Sequence, residues 1–558
     1  MPNYWVGLKP DFLFLNCSCL LTLCFPLISF AQVESVRNSS AAQRAAVTNQ
    51  SLRSDPEQVV MGAKQGIEVV ESFDGLGFGF AGPQGTTHFR NPSDNSLAVG
   101  PNHIVQTVNA RMAIFTKKGK IFSKTGEVLY GPEETRKVFE DFGGPCENIN
   151  NGDAVVRYDQ LADRWLLVMP TFRRAPLRND SLLEKRPQPG PAFKLKPGNF
   201  REEPPPGPRK KLPPDTVGAY CMCYAVSTTS DPLGSWYRYE FRRELFPDYP
   251  RPAVWPDGYY NTTSTGDHLN ERHLYVVDRN SMLRGLPATE QHFILKDVNF
   301  VVPADLEGQQ LPPYGSPAIL LATGGDQLNK ITTDNGIYVW KQYTNWKNPS
   351  QSRLEGPIKL EVPTYHYLGG GQLTNAVPQP GTNIRLDAQG DKIMARLVYR
   401  RMGKTESMVA VHSVATAAGG GGVRWYEFRV NQKDRTVKVQ QLGTYTPSEG
   451  DKIPYRWMAS PAMDKDGNIG IGYSFGSSID FPGQRFAAQS AGGPEGVLDN
   501  KEVVLVEGQA SQENTLRWED YTQTAMDPSD DKTIWYVGDY LKKGAKDYST
   551  RIAAIRIR

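Results

Sequence analysis

One unit recurs along this chain and limits what it can fold into. A short apolar pair runs into a tight turn, and a second apolar stretch follows at once. It reads Leu97-Ala-Val-Gly-Pro-Asn-His-Ile-Val-Gln, then Val155-Val-Arg-Tyr-Asp-Gln-Leu-Ala-Asp-Arg-Trp-Leu-Leu, then Ala253-Val-Trp-Pro-Asp-Gly-Tyr-Tyr. It returns as Ile384-Arg-Leu-Asp-Ala-Gln-Gly-Asp-Lys-Ile-Met, Ala462-Met-Asp-Lys-Asp-Gly-Asn-Ile-Gly-Ile-Gly-Tyr and Ala525-Met-Asp-Pro-Ser-Asp-Asp-Lys-Thr-Ile-Trp-Tyr. Asp, Asn, Gly and Pro accept turn dihedrals, so each copy reads as a β-hairpin. Repetition of one hairpin predicts an all-β propeller of four-stranded blades. Seven units of about 60 to 70 residues fit the spacing from Asn91 onward, and six or eight blades are alternatives. The fourth unit, from about Ser316 to Val362, has the most degenerate hairpin. The alternating strand Arg551–Ile557 is expected to pair with the segment near Ile67–Phe73, because a terminal strand that joins the opposite end of the chain removes a sheet edge.

The first 31 residues read as an export signal. Phe12 to Phe30 is almost wholly apolar, Lys9 precedes it, and Ser29-Phe30-Ala31 places small residues where a signal peptidase cuts. Residues 32–66 are polar and form an expected flexible leader, and 67–558 form the propeller domain. No stable membrane span is expected after cleavage, and the mature chain is expected to be monomeric and secreted or cell-surface. A Pro-rich insertion occupies 173–216 of the second blade. Proline lacks a backbone donor, so this stretch is excluded from central strands and reads as an extended excursion.

Sixty-three basic against 60 acidic residues leave a net charge of +3 on 558 residues. That balance argues against a nucleic-acid partner, which calls for a concentrated basic face. Cys146, Cys221 and Cys223 survive signal removal. An oxidising compartment favours one disulfide among them. Cys221 and Cys223 lie two apart on a strand and cannot bridge each other without strain. Cys146–Cys223 is the expected pair, with Cys146–Cys221 as the alternative. No cofactor and no metal site is implied. The histidines show no ligand spacing, and Asp464-Lys-Asp-Gly-Asn468 lacks the downstream glutamate of a calcium loop.

Ligands of such folds sit on the loops that lead into each innermost strand. Those loops carry Asp94, Asp153, Asp248-Tyr249-Pro-Arg251, Tyr455-Arg456-Trp457 and Arg517-Trp518-Glu519-Asp520-Tyr521. Arg251, Arg456 and Arg517 could pair with carboxylates, and Trp457, Trp518 and Tyr521 could stack on sugar faces. Asp94, Asp153, Asp248 and Asp520 are the candidate acid–base residues, since glycoside cleavage calls for two carboxyls across the bond. Two functions follow: a binding or scaffold module for a polysaccharide or glycoconjugate, or a glycoside hydrolase or lyase using the same funnel. A nearby pair of carboxyls unpaired by arginine would mark the enzyme.

Gly152-Asp-Ala-Val-Val-Arg-Tyr-Asp-Gln-Leu-Ala-Asp-Arg-Trp resembles the hallmark of a largely uncharacterised family of secreted bacterial β-propeller proteins. Ala225-Val-Ser-Thr-Thr-Ser-Asp-Pro-Leu-Gly-Ser-Trp-Tyr, Tyr249-Pro-Arg-Pro-Ala-Val-Trp-Pro-Asp-Gly-Tyr-Tyr and Arg517-Trp-Glu-Asp-Tyr carry the same resemblance. More distantly the chain is similar to sialidase-like propellers, without their repeated Ser-x-Asp-x-Gly-x-x-Trp box. The resemblance implies the fold and export, and carries over no catalytic residue.

Overall fold

The computed structural model describes residues 56–173, 189–196, 198–202, 219–264, 271–298, 300–325, 327, 332–448 and 452–558. The export signal, most of the leader and most of the Pro-rich insertion lie outside the described residues. The described chain is almost wholly β. No helix in it is long and apolar enough to cross a membrane.

Hairpins joined in series build antiparallel sheets, because each turn returns the chain beside the strand it has just left. Ser96–Val99, His103–Val108, Arg111–Thr116 and Val128–Glu134 form the first four-stranded sheet. Val155–Asp159, Arg164–Pro170, Tyr220–Ser227 and Ser235–Arg243 form the second. Asp248–Trp255, Gly258–Ser264, Glu271–Val277 and Glu290–Lys296 form the third. A fourth group comprises Val302–Glu307, Ala318–Gly324, Gly336–Tyr343 and Arg353–Leu360. The fifth comprises Leu397–Met402, Thr405–Ala415, Gly421–Val430 and Val437–Tyr445, and the sixth Tyr455–Met463, Ile469–Gly476, Gly483–Gln489 and Val503–Val506. Two parallel pairings join these three groups into one hydrogen-bonded sheet: Ala304 stands opposite Leu397 between leading strands, and Gly421, at the start of the fifth group's third strand, stands opposite Tyr455. In the last group Gln523–Met526, Ile534–Tyr540 and Ser549–Ile557 are completed by Ile67–Asp74 from the other end of the chain. Ile67 stands opposite Ile557 and Asp74 opposite Arg551, so the expected pairing of the two ends is present.

Apolar clusters lie between consecutive groups. Ile114 and Trp165 meet between the first and second, and Tyr224 and Tyr259 between the second and third. Leu274, Leu320 and Met408 share one cluster, Trp425 and Trp457 another, and Phe486 and Ile555 a third. Leu97 and Trp535 join the last group to the first. Burying each such side chain contributes about 1.5–3 kcal/mol, so the contact between sheets, rather than any single sheet, carries the stability. The leading strands neighbour one another in chain order, and Gln523–Met526 lies against both Tyr455–Met463 and Ser96–Val99.

Two expectations are corrected, and two short strands join the sheets from the ends of the leader and the Pro-rich insertion. The fourth group begins at Val302–Glu307, ahead of Ser316; every residue of that strand is buried, so the alternation that marks a half-exposed strand is absent. Ile384–Met394 is no two-stranded hairpin: it is a loop, and the fifth group turns at Gly403 instead. Part of the Pro-rich insertion is anchored, since Gly190–Lys194 adds an edge strand beside Ser235–Arg243 and buries Phe193. An edge position tolerates Pro191 because one side needs no donor. At the leader's end, Glu57–Gln58 pairs in parallel with Thr444 and Tyr445, and Gln58 exchanges hydrogen bonds with the backbone of Leu498.

A disulfide joins Cys146 to Cys223, leaving Cys221 as a buried thiol on the same strand. Asp464–Asn468 is a hairpin turn in which Asp464 Oδ1 accepts from the amides of Asp466 and Asn468 at 2.9 Å.

Candidate functional site

The entries to the leading strands share a backbone device, set in the loop ahead of the strand or, at Tyr249 and Met458, in a register shift within it. Asp94, Asp153, Tyr249, Met458 and Asp520 all adopt left-handed conformations, with φ between 48° and 62°. Non-glycine residues pay for that conformation, and it persists only where the surroundings hold it. Here the holding is tertiary: the amide of Asp94 donates to Glu519 O at 2.7 Å, and the amide of Asn109 to Ser93 O at 2.5 Å. The result is that residues from the entries of four sheets meet. Asp94, Asp153, Asp248 and Asp520 lie close enough for their charges to act on one another.

The carboxyls of Asp94 and Asp153 are joined by a hydrogen bond. Oδ2 of Asp94 accepts from Asn109 Nδ2 at 2.7 Å, and Oδ2 of Asp153 accepts from the Tyr521 hydroxyl at 2.8 Å. Asp94 Oδ1 is buried and receives no donor from the described residues. Burial, then the charges of Asp153 and Asp520, raise the Asp94 carboxyl well above the ordinary carboxylate range. Burial and then Asp248 push Asp153 up to about 7. Burial and then Asp520 push Asp248 up to about 6.

Cations hold the group together. Arg517 pairs with Asp520, and its side chain is 35% exposed, so it is the part of the cluster most open to solvent. Arg251 lies over two stacked rings, its guanidinium carbon 3.2 Å from the Tyr249 centroid and 4.2 Å from that of Tyr521. These π faces are filled by Arg251 and by each other, so Tyr521 does not serve as a sugar platform. Asp387, Gln389 and Lys392 join from the loop that the sequence reads as a fifth hairpin. Gln389 Nε2 donates to Asp387 Oδ2 at 3.1 Å and to Asp520 Oδ1 at 3.0 Å. Lys392 Nζ lies 3.0 Å from Asp391 Oδ1 and 4.1 Å from the Phe300 centroid, and it also donates to Gln389. The turn chemistry of Asp387-Ala-Gln-Gly concealed these residues. Counted together, Asp94, Asp153, Asp248, Asp387, Asp391 and Asp520 face Arg251, Arg272, Lys392 and Arg517, a surplus of two acids. A low-dielectric site takes up protons against such a surplus.

The remaining sequence-predicted residues stand elsewhere. Arg456 is 2% exposed and pairs with Glu502 at 2.7 Å, over the rings of Tyr445 and Phe475. Trp457 and Trp518 are fully buried with centroids 6.2 Å apart, and the Trp518 indole donates to Ser474 Oγ. Burial leaves all three without a face to offer a ligand. Among the described residues no group of His, Cys, Asp and Glu has the geometry of a metal site.

No family model and no curated protein matches the chain. Among solved structures it is similar to a protein of unknown function from Dyadobacter fermentans, at 10% identity and TM-score 0.32, covering 88% of this chain and 100% of that one. A Hadza microbial sialidase is similar at 9% identity and TM-score 0.31, with 82% of this chain and 64% of that one covered. Drosophila Plexin A, solved with Semaphorin 1b, is similar at 8% identity and TM-score 0.35, with 88% of each chain covered. At these TM-scores the likenesses carry no argument about activity.

Proposed function

We propose that this chain is an exported, seven-bladed β-propeller that cleaves an extracellular polysaccharide by general acid–base chemistry at the mouth of its channel. Seven groups of four strands, with leading strands neighbouring one another from first to last and back to first, support the blade count. The Cys146–Cys223 disulfide supports an oxidising compartment. The observation that carries the activity is the Asp94–Asp153 pair. The two carboxyls touch, neither forms an ion pair with an arginine among the described contacts, and one carboxyl oxygen is without a donor. Carboxyls that titrate near neutral pH are suited to giving a proton and taking it back. In this reading the protonated member of the pair protonates the leaving-group oxygen of a glycosidic bond. Asp248 takes a proton from water or from the sugar ring. Arg517, the exposed cation, holds an acidic group of the polymer.

A binding module is the second reading, favoured by the burial of Asp94 and by Arg517 as the exposed contact. The purified chain is incubated with a panel of neutral and acidic polysaccharides, and reducing ends, unsaturated products and binding heats are measured. Release that disappears in Asp94→Asn and Asp153→Asn, with the far-ultraviolet spectrum retained, supports the enzyme. Binding without release in the unaltered chain sinks it.

A further inference from the structure

Residues 56–66, just ahead of the strand Ile67–Asp74, touch the fifth, sixth and seventh groups in turn. At the fifth, the amides of Thr444 and Thr446 donate to Pro56 O at 2.6 Å and Gln58 O at 3.1 Å, and the Ala417 amide donates to Glu57 Oε1 at 2.9 Å. At the sixth, Gln58 Nε2 donates to Leu498 O at 3.0 Å, and the Leu498 amide donates back to Gln58 Oε1 at 2.8 Å. Lys64 then grips the next residues from both sides. Its amide donates to Asp499 O at 3.1 Å, its carbonyl accepts from the Lys501 amide at 2.8 Å, and its Nζ lies 2.7 Å from Asp499 Oδ2. At the seventh, the Arg558 amide donates to Gly66 O at 2.8 Å.

The sequence Met61-Gly-Ala-Lys-Gln-Gly66 makes this contact close, with one glycine on each side of Lys64. A Cβ on Gly62 would stand 2.4 Å from the Asp499 carbonyl carbon and 2.5 Å from Asn500 O. One on Gly66 would stand 2.4 Å from Asn500 Oδ1. Glycine therefore lets the two backbones meet. Asn500 is fully buried; its Oδ1 accepts from the Gly66 amide at 3.0 Å, and its Nδ2 donates to Ser490 Oγ at 3.0 Å. Apolar burial adds little here. No residue from 56 to 66 is fully buried, and Val59 and Val60 are 56% and 73% exposed. A segment held by main-chain hydrogen bonds, with few buried apolar contacts, belongs to the low-stability end of a fold.

We propose that residues 56–66 form a clasp that ties the fifth, sixth and seventh groups together and opens as one unit ahead of the sheets. Opening frees the edge of the strand Val437–Tyr445 and the turn from Leu498 to Lys501. The pairing of Ile67–Asp74 with Ser549–Ile557 stays in place. The clasp is separate from the carboxyl cluster and does not depend on its having a catalytic role.

Hydrogen exchange of the full chain is followed by mass spectrometry at increasing low urea, on peptides covering Thr444–Thr446 and Lys501. We expect the amides of Thr444, Thr446 and Lys501 to share one opening free energy. It lies below that of the paired strands Thr405–Ala415 and Gly421–Val430 and changes little with urea. Gly62→Ala speeds all three on the order of tenfold, the scale of a single destabilising substitution. Gln58→Ala removes both bonds to Leu498 without adding bulk; it speeds the same three and takes over if Gly62→Ala fails to fold. Separate opening free energies for the three amides overturn the single unit. Exchange with the free energy and urea slope of the inner strands overturns the early opening. Rates unmoved in both variants overturn the clasp.

Discussion

The Tyr521 hydroxyl donates a 2.8 Å hydrogen bond to Oδ2 of Asp153, across 368 residues of chain. Tyr521 is itself buried, so its hydroxyl holds the Asp153 carboxyl in place. Tyr521 stacks on Tyr249 at 4.8 Å, and Tyr249 packs on Phe300. Positioning of the acid pair therefore depends on residues from three sheets.

Tyr521→Phe removes the donor and keeps the stack. We expect a stability loss of about 1 kcal/mol, the ordinary worth of one buried hydrogen bond. The bond favours the carboxylate form of Asp153, so its loss raises the acid's titration further. If the chain cleaves glycan, the alkaline limb of its pH profile, set by loss of the proton from the acid pair, moves upward in this variant; an unmoved limb counts against Asp153 as the titrating group.

Stability should fall as pH rises through the range in which these acids ionise. Asp153 and Asp248 are raised to about 7 and about 6, while an unfolded Asp titrates near 3.9. Between about pH 4 and 7 the native state holds protons that the unfolded state has released, so each such group stabilises at low pH and stops doing so as pH passes its folded value. Asp539, raised to about 7 by burial, adds to the same slope. Urea midpoints across this range should decline with pH in the unaltered chain. In Asp153→Asn the slope is shallower by up to about 1.4 kcal/mol per pH unit. An equal slope in both proteins would refute the shifted carboxyl.

Arg456→Ala tests the assignment of that residue to the interior. Its guanidinium meets Glu502, which also receives the Tyr473 hydroxyl at 2.5 Å and Arg485 at 2.8 Å. Removing one partner of a buried pair costs about 3–5 kcal/mol, reduced here by the two partners that remain. Denaturant unfolding should show the loss, and polysaccharide binding or release by the folded fraction should be unchanged.

Reduction of Cys146–Cys223 releases a closed loop with a sequence separation of 77, worth about 4 kcal/mol by the chain-entropy account. Cys146→Ser with Cys223→Ser should lower Tm by the same amount as reductant does. Cys221, whose thiol is raised by burial, should resist a thiol reagent until the chain unfolds. Rapid labelling of Cys221 in the native chain would contradict its burial.

Five of the six hairpins legible in the chain are hairpins in the structure, because turn residues and alternating apolar residues act over about ten positions. The sixth shows where local reading ends. Asp387-Ala-Gln-Gly has turn chemistry, yet Asp387 accepts from the amides of Leu373 and Thr374, and its own amide donates to Leu516 O. These partners divert the loop into the site, and Lys392 and Gln389 travel with it. The strand Val302–Glu307 was equally hidden, since burial on both faces erases the period-two pattern.

The gathering of Asp94, Asp153, Asp248 and Asp520 was legible as four equivalent loop positions on one repeating unit. What each does was not. Trp457 and Trp518 stand at the same loop positions as the acids, but packing turns them inward, and Arg456 finds Glu502 46 residues away. Local dihedrals and side-chain alternation determine hairpins, so the sequence alone determined the repeated unit. Protonation, ion pairing and exposure depend on which charges and rings lie within a few ångströms after the sheets have packed, and only the tertiary structure decided those.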